Sequence, residues 1–167
     1  FTLPDVADAT MATVNGISEF DQWYLTASKT SDGDITANLL RNDRAGAASQ
    51  IGTGMTESSG IFTFPRTGKY LVNVVATFVI SGNDSVLVQT QVTTNNNTYE
   101  VHTSASDGAN TTAARNGSGT SFAFIDVTDT SQVKVKFTAA SIGTGSSVTG
   151  SSTQVTTSFI FIRLGDT

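Results

Sequence analysis

The 167-residue sequence contains no cysteine, which excludes disulfide bonds and thiolate metal sites. Charged residues make up only 14% of it, against about a quarter in an average globular domain. The nine Lys and Arg are scattered and are outnumbered by 14 Asp and Glu, so neither a nucleic-acid partner nor a basic membrane-binding patch is expected. No apolar run approaches the roughly 20 residues of a membrane-spanning helix. Stability must therefore come from the packing of an apolar core.

The abundant residues are those of β-strands and turns. The chain has 28 Thr, 19 Ser, 15 Gly and 10 Phe, and it lacks the runs of Leu, Ala, Glu and Lys that form helices. Its length fits a single domain with a sizeable core. Residues 1–19 show no clear helix cap and no long apolar face. We therefore predict an N-terminal arm or lead-in over residues 1–19 and one β-domain over residues 20–167.

The longest β-forming run lies within residues 60–80. Residues 61–64 form a short strand, and Pro65 and Gly68 supply the chemistry of a turn. From Lys69 onward both faces are largely apolar, so this strand is predicted to lie in the middle of a sheet, with a hairpin before it that fixes its register. One face carries Tyr70, Val72, Val74, Ala76, Phe78 and Ile80, and the other carries Leu71, Asn73, Val75, Thr77 and Val79.

The rest of the chain reads as further strands separated by polar turns. Strands are predicted over residues 20–28, 35–42 (at an edge), 85–93, 99–103, 120–127 (interior, because both faces are apolar), 132–139 and 153–164. Polar loops are predicted over residues 29–34, 104–119 and 142–152. No helical pattern and no internal repeat is present. The sequence therefore predicts an all-β fold, a two-sheet antiparallel jelly-roll sandwich of eight to ten strands.

One string of residues points to a family. The pattern Gly60-x-Phe62-x-x-Pro65-x-x-Gly68-x-Tyr70, followed by a long apolar strand, resembles the tumour necrosis factor and complement 1q globular-head superfamily. The closing segment, residues 158–165 (SFIFIRLG), is similar to that family's last aromatic strand, which lies beside the first strand. The resemblance spans roughly residues 20–165. It implies a compact homotrimer that packs along a three-fold axis through one sheet of each copy.

Three further segments resemble jelly-roll modules encoded by marine bacteriophages, including those of cyanobacteria. They are residues 22–26 (QWYLT), 51–60 (IGTGMTESSG) and 62–65 (FTFP). This resemblance implies a non-enzymatic virion structural protein, either a capsid decoration or a tail or fibre component, that contacts other virion proteins in the extracellular particle. The alternative is a module that recognises a host glycan or surface protein through the three polar loops, since loops on a rigid sandwich commonly carry binding.

The inner strands are apolar on both faces, which indicates two covering surfaces. One is the opposite sheet, and the other is a neighbouring copy of the chain, because so large an exposed patch is unusual on a monomer. The residues assigned to the core or to trimer contacts are Trp23, Tyr70, Val72, Phe78, Phe122, Phe124, Phe159 and Phe161.

No group of residues in the sequence indicates catalysis. His102 is the single His, and neither a nucleophile nor an orienting acid accompanies it. Two acidic pairs, Asp32 with Asp34 and Asp126 with Asp129, offer the oxygen ligands that calcium prefers. Asp beside Gly is also ordinary turn chemistry, so turn capping is the alternative for these pairs. No other cofactor is expected.

Overall fold

The computed structural model describes residues 16–110 and 112–167, and the regular secondary structure of these residues consists of β-strands alone. Six of the strands have just two or three residues, so the total of thirteen exceeds the eight to ten predicted. Within the described ranges no helix is long and apolar enough to cross a membrane. In chain order the strands are β1 (Phe20–Leu25), β2 (Gly33–Asp34), β3 (Leu39–Arg41), β4 (Gln50–Ile51), β5 (Thr56–Ser58), β6 (Ile61–Thr63), β7 (Gly68–Ile80), β8 (Asn83–Thr93), β9 (Glu100–Asn110), β10 (Arg115–Val127), β11 (Lys134–Ala140), β12 (Ser147–Val148) and β13 (Ser158–Gly165).

The strands form two antiparallel sheets that face each other across one core. Sheet 1 has the order β10-β7-β13-β1-β3, with β12 added on β7 and β4 added on β1. Sheet 2 has the order β5-β6-β11-β8-β9, with β2 added on β11. The predicted two-sheet antiparallel sandwich is therefore confirmed, and β13 pairs with β1 as the resemblance implies.

Strand β7 is central to sheet 1, as its sequence predicts. Its alternate residues from Tyr70 to Ile80 point into the sandwich and are at most 1% exposed. The core also contains a group of aromatic rings, because Phe62 and Phe137 from sheet 2 pack against Phe161 and Phe159 from sheet 1 at centroid distances of 4.1–6.1 Å. Aromatic pairs of this kind add stabilisation beyond the apolar area that they bury.

The predicted hairpin before β7 is wrong. Strand β6 pairs with β5 and β11 in sheet 2, whereas β7 pairs with β10, β12 and β13 in sheet 1. The turn between them therefore carries the chain from one sheet to the other. Gly68 has a φ of 140°, and a Cβ there would lie 2.5 Å from the carbonyl oxygen of Gly165, so only glycine fits this crossing.

The loop predicted over residues 104–119 is also wrong, because most of it forms the ends of β9 and β10. These two strands belong to different sheets and approach each other closely. A Cβ at Gly117 would lie 1.9 Å from Oδ2 of Asp107, and one at Gly119 would lie 2.7 Å from the backbone nitrogen of Ser106. The glycines that look like loop residues in the sequence therefore allow two strands to pack backbone against backbone.

Two further strand predictions need correction. The predicted edge strand over residues 35–42 is interrupted, and only β2 before it and β3 within it form ladders, with Asn38 at a positive φ of 61° between them. The predicted interior strand over residues 120–127 lies at the end of sheet 1, since β10 pairs with β7 alone. Its apolar outer residues are not covered by another strand.

The sandwich has two poles, at opposite ends of β7. At the entry pole, Lys69 pairs with Gly165, and the backbone nitrogen of Arg163 donates to the carbonyl oxygen of Glu19. At the loop pole, the other end of β7 meets the end of β10 and the segment around β12. Strand β7 has 13 residues, so the poles lie about 40 Å apart at about 3.3 Å per residue. Most of the arm predicted over residues 1–19 lies outside the described residues.

Candidate functional site

The outer surface of sheet 1 carries a continuous row of apolar side chains. Cross-strand partners share a face, so the ladder pairs place one residue from each of β10, β7, β13, β1 and β4 side by side. With strands about 4.8 Å apart, this row is about 19 Å wide. We call the outer surface of sheet 1 the front face. In strand order, its first row is Phe124, Leu71, Ile162, Phe20 and Ile51.

The eight residues that the sequence assigned to the core or to trimer contacts differ in their solvent exposure. Phe122 is 57% exposed and Phe124 is 71% exposed, and both stand on the front face. Trp23 is half-buried and packs edge-on against Phe62 in the core. The other five, Tyr70, Val72, Phe78, Phe159 and Phe161, are buried inside the sandwich.

The second row of the front face has a polar centre. Asn73 pairs with Phe122 on one side and with Ile160 on the other, and its amide nitrogen donates to the carbonyl oxygen of Ser121 at 3.1 Å. The next residue across is Gln22, whose side-chain oxygen accepts a hydrogen bond from Asn42 at 2.8 Å. Both side chains therefore have a hydrogen-bond partner within the chain, and they form a polar strip beside the apolar first row.

A groove of about 290 Å³ opens on the front face at the entry pole. Exposed Phe124 and Leu164 line it together with Lys69 and Asp126. Tyr70 also borders the groove, but its side chain points into the sandwich, where its hydroxyl donates to the carbonyl oxygen of Arg66 at 2.9 Å. Burial raises the pKa of this tyrosine, so the phenol stays neutral. The groove extends the apolar front face beyond the first row.

The loop pole brings together two of the three segments predicted as recognition loops. Lys29 forms an isolated β-bridge with Val148, so residues 29–34 and 142–152 touch directly. The backbone nitrogen of Ile142 donates to Oδ1 of Asp32 at 2.8 Å, and that of Gly150 donates to the hydroxyl of Ser28 at 3.1 Å. The ends of β9 and β10 reach the same pole, since Arg115 pairs with Ile80.

Between the end of β1 and the segment after β2 lies a hollow of about 210 Å³ at this pole. Hydrogen bonds from the backbone and hydroxyl of Thr26 to the carbonyl oxygen of Asn38 hold its two sides together. Its floor includes the buried side chains of Leu25 and Ile35. The polar residues that line it are Ser28, Lys29, Asp34, Thr36 and Asn38.

Three of the four aspartates predicted as calcium ligands accept hydrogen bonds from other residues of the chain, and the fourth, Asp126, lines the groove. Asp34 accepts from Lys136 at 2.8 Å and from Thr138 at 2.6 Å. Burial alone raises the pKa of Asp34, but these hydrogen bonds and the charges of Lys136 and Lys29 lower it overall. Asp129 caps a turn by accepting from the backbone and hydroxyl of Ser131, which lowers its pKa. Asp126 lines the groove, and Asp32 holds Ile142 as described above.

Metal binding and catalysis gain no support from the described residues. Among residues 16–110 and 112–167, no group of three or more His, Asp or Glu side chains is placed to hold a metal ion. His102 is exposed on β9. The calcium sites therefore stay a prediction from sequence alone.

A buried acidic network at the start of β1 was missed by sequence reasoning. Asp21 is 1% exposed and accepts from Arg41, from the indole of Trp23 and from the backbone nitrogen of Met55. Glu19, also buried, accepts from the backbone of residues 53 and 54 and pairs with Arg66. The sequence pattern that could have revealed this network is the alternation of residues along the strand, which places Glu19, Asp21, Trp23 and Leu25 on its inward face.

No protein-family model matches the sequence, and no curated protein matches it. Solved structures do match its fold. The crystal structure of murine APRIL at pH 5.0 superposes with a TM-score of 0.64 at 10% identity, and it covers 87% of this chain and 98% of that one. The structure of Eiger TNF from S. frugiperda superposes with a TM-score of 0.61 at 16% identity, and it covers 89% of this chain and 94% of that one. At such low identity the likeness concerns the fold alone, and the chain has the TNF-like jelly-roll fold.

Proposed function

We propose that the chain is a non-enzymatic structural module that assembles as a homotrimer through its front face. The observation that carries this proposal is the apolar first row, in which Phe124 is 71% exposed and Ile51 is 44% exposed. The row runs from one edge of sheet 1 to the other, so an edge of one copy can lie on the face of the next. A head-to-tail contact of this kind closes into a ring when the rotation between copies closes.

The trimeric state is taken from the resemblance to the tumour necrosis factor and complement 1q superfamily, and the exposed face supports it. Burying the exposed rings of Phe122 and Phe124 in each copy removes apolar area from water without any rearrangement of the core. Three chains of 17.4 kDa give a particle of about 52 kDa, which sedimentation equilibrium distinguishes from a monomer or a dimer. A monomer at all concentrations would refute the assembly.

We further propose that this trimer is a virion structural protein of a bacteriophage, with capsid decoration preferred to a tail or fibre role. The support is the resemblance of residues 22–26, 51–60 and 62–65 to phage jelly-roll modules, together with a surface rich in Thr, Ser and Asn. Such a module acts through shape-complementary contacts with other virion proteins. Mass spectrometry of purified particles tests the role: peptides of this chain in the particle fraction are expected, and their absence refutes it.

A second candidate function is recognition of a host surface, and the loop pole favours it. Residues 29–34 and 142–152 meet there through the bridge between Lys29 and Val148, which is level with Phe78 and about 33 Å from Gly68 at about 3.3 Å per residue of β7. The polar hollow beside this bridge is lined by residues between Leu25 and Asn38. A module attached through its entry pole presents this hollow outward. Adsorption of the purified protein to host cells is expected from a recognition module and is not expected from a pure decoration protein.

A further inference from the structure

We propose that the hollow at the loop pole binds one acidic sugar ring, a hexuronic acid unit of a surface polysaccharide. This assignment rests on the second candidate function, recognition of a host surface, and specifies its ligand. The hollow of about 210 Å³ lies below the roughly 300–1,000 Å³ typical of pockets for drug-sized molecules, and it suits a single ring.

The floor and the rim of the hollow match the two kinds of surface on a sugar. Leu25 and Ile35 contribute a buried apolar floor, against which the C–H face of a ring can pack. Hydroxyl and amide groups surround that floor, and a hydroxyl can donate and accept at once. Ser28 accepts from the backbone nitrogen of Gly150, so its own hydrogen remains available to donate. Thr36 and Asn38 line the side across from it.

The charge that would recognise a carboxylate comes from Lys29. The only other charged residue of the lining is Asp34, and its carboxylate is already neutralised by the ammonium of Lys136 at 2.8 Å and by the hydroxyl of Thr138. Among the described residues Lys29 forms no ion pair within 4 Å; its ammonium donates to the hydroxyl of Ser31 at 3.4 Å, and its charge acts on Asp34 from farther away, where it helps to lower the pKa of that carboxyl. An ammonium at the rim of a polar hollow is a site for one negative charge, since a charge-assisted hydrogen bond is about twice as strong as a neutral one.

The position of Lys29 is fixed by the fold. Its backbone nitrogen and oxygen exchange hydrogen bonds with Val148 at 3.0 Å each, and Val148 in turn pairs with Phe78 of the central strand. The residue therefore stands on a rigid support, although it lies in a loop by sequence. A site on such a support needs little ordering when the ligand binds, which favours measurable affinity for a small molecule.

The test uses a matched pair of ligands, glucuronate and glucose, which differ in one carboxylate. Each sugar is added to the complete ¹⁵N-labelled chain, and backbone amide shifts are followed. Glucuronate is expected to shift the amides of residues 28–29 and 34–38 and to saturate with a dissociation constant of about 1–10 mM, as expected for so small a ligand. Glucose is expected to bind at least about tenfold more weakly, because it lacks the charge.

Two variants with matched controls locate the site. Ala37→Phe fills the hollow from an exposed position and is expected to abolish the glucuronate shifts, whereas Ala48→Phe adds the same volume in a loop elsewhere and leaves them unchanged. Lys29→Gln is expected to reduce glucuronate affinity to that of glucose. Lys134→Gln removes one positive charge from sheet 2 instead and is expected to have little effect.

The possible outcomes separate this inference from the functions on which it builds. Equal binding of glucose and glucuronate, shifts that map elsewhere, or no shifts at all would overturn the acidic-sugar site. If the protein adsorbs to host cells while glucuronate causes no shifts, recognition holds and the site assignment is wrong. If glucuronate shifts the predicted amides and the protein does not adsorb, the site stands and the recognition function fails.

Discussion

Replacing Phe124 by Thr is expected to dissociate the trimer without destabilising the fold. The side chain is 71% exposed in the single chain, so covering it contributes about 2 kcal/mol per copy, from about 3 kcal/mol for a whole Phe side chain. A trimer contains three copies and loses about 6 kcal/mol, roughly four powers of ten in its dissociation constant. The dissociation constant of a trimer has units of concentration squared, so the midpoint of assembly varies as its square root and rises about 100-fold.

Sedimentation equilibrium over a concentration series measures this midpoint, and urea unfolding measures the free energy of unfolding. Measured at concentrations at which both proteins are monomeric, Phe124→Thr is expected to unfold within about 0.5–1 kcal/mol of the parent, because an exposed strand position loses little and Thr keeps the β-propensity. Val101→Thr is the matched control, since Val101 is 50% exposed on sheet 2, away from the front face. An unchanged midpoint for Phe124→Thr, or an equal shift for Val101→Thr, would refute the front face as the trimer contact.

Three further predictions concern the fold itself. Gly60 and Gly46 share a φ of 83°, but of the two only Gly60 has a carbonyl oxygen, at 2.2 Å, in the position where a Cβ would collide with it. Gly60→Ala should therefore lower the free energy of unfolding well beyond the loss of about 1–2 kcal/mol expected for Gly46→Ala. Equal losses in urea unfolding would contradict this. Asp21→Ala leaves the guanidinium of Arg41 without its buried partner and should lower the free energy of unfolding by about 3–5 kcal/mol, measured again by urea unfolding. A decrease below about 1 kcal/mol would show that the network is dispensable for stability. The pKa of Asp34 is lowered in the folded chain, so its carboxylate stabilises the fold above about pH 4 and this contribution disappears as the pH falls through the lowered value. The stability gap between the parent and Asp34→Asn should therefore close on acidification, and a gap that persists at pH 2 would show that ionisation is not its cause.

The inward face of β7 could be predicted from the sequence because alternation alone determines which residues share a face. The same reasoning could not separate Phe122 and Phe124 from Phe159 and Phe161, since both segments alternate apolar side chains on two faces. Which residues of a strand turn inward depends on how the strand pairs within its sheet: Phe159 and Phe161 point into the sandwich, whereas Phe122 and Phe124 point to the front face. The sheet order is a property of long-range pairing, which local patterns do not contain.

Residues 104–119 were predicted to form a loop because they are rich in Gly, Ser and Asn. Gly, Ser and Asn usually mark turns, because they tolerate unusual backbone angles or bond to the backbone. Here Gly117 and Gly119 serve a different purpose, since any Cβ would collide with β9. The need for that space arises only once the two sheets meet. The hollow at the loop pole is equally a product of tertiary contacts, because Ser28 and Gly150 are far apart in the chain.

The placement of Glu19 and Gly165 at one pole gives the fold the properties of a display scaffold. Both residues lie on the side of the domain away from the hollow, so a partner that binds at the entry pole would leave the hollow open. The exposed residues 36–38, which line the hollow, could then vary to change what is recognised, while the means of attachment stayed the same. Anchoring and selectivity would thus be free to evolve separately within a single small domain.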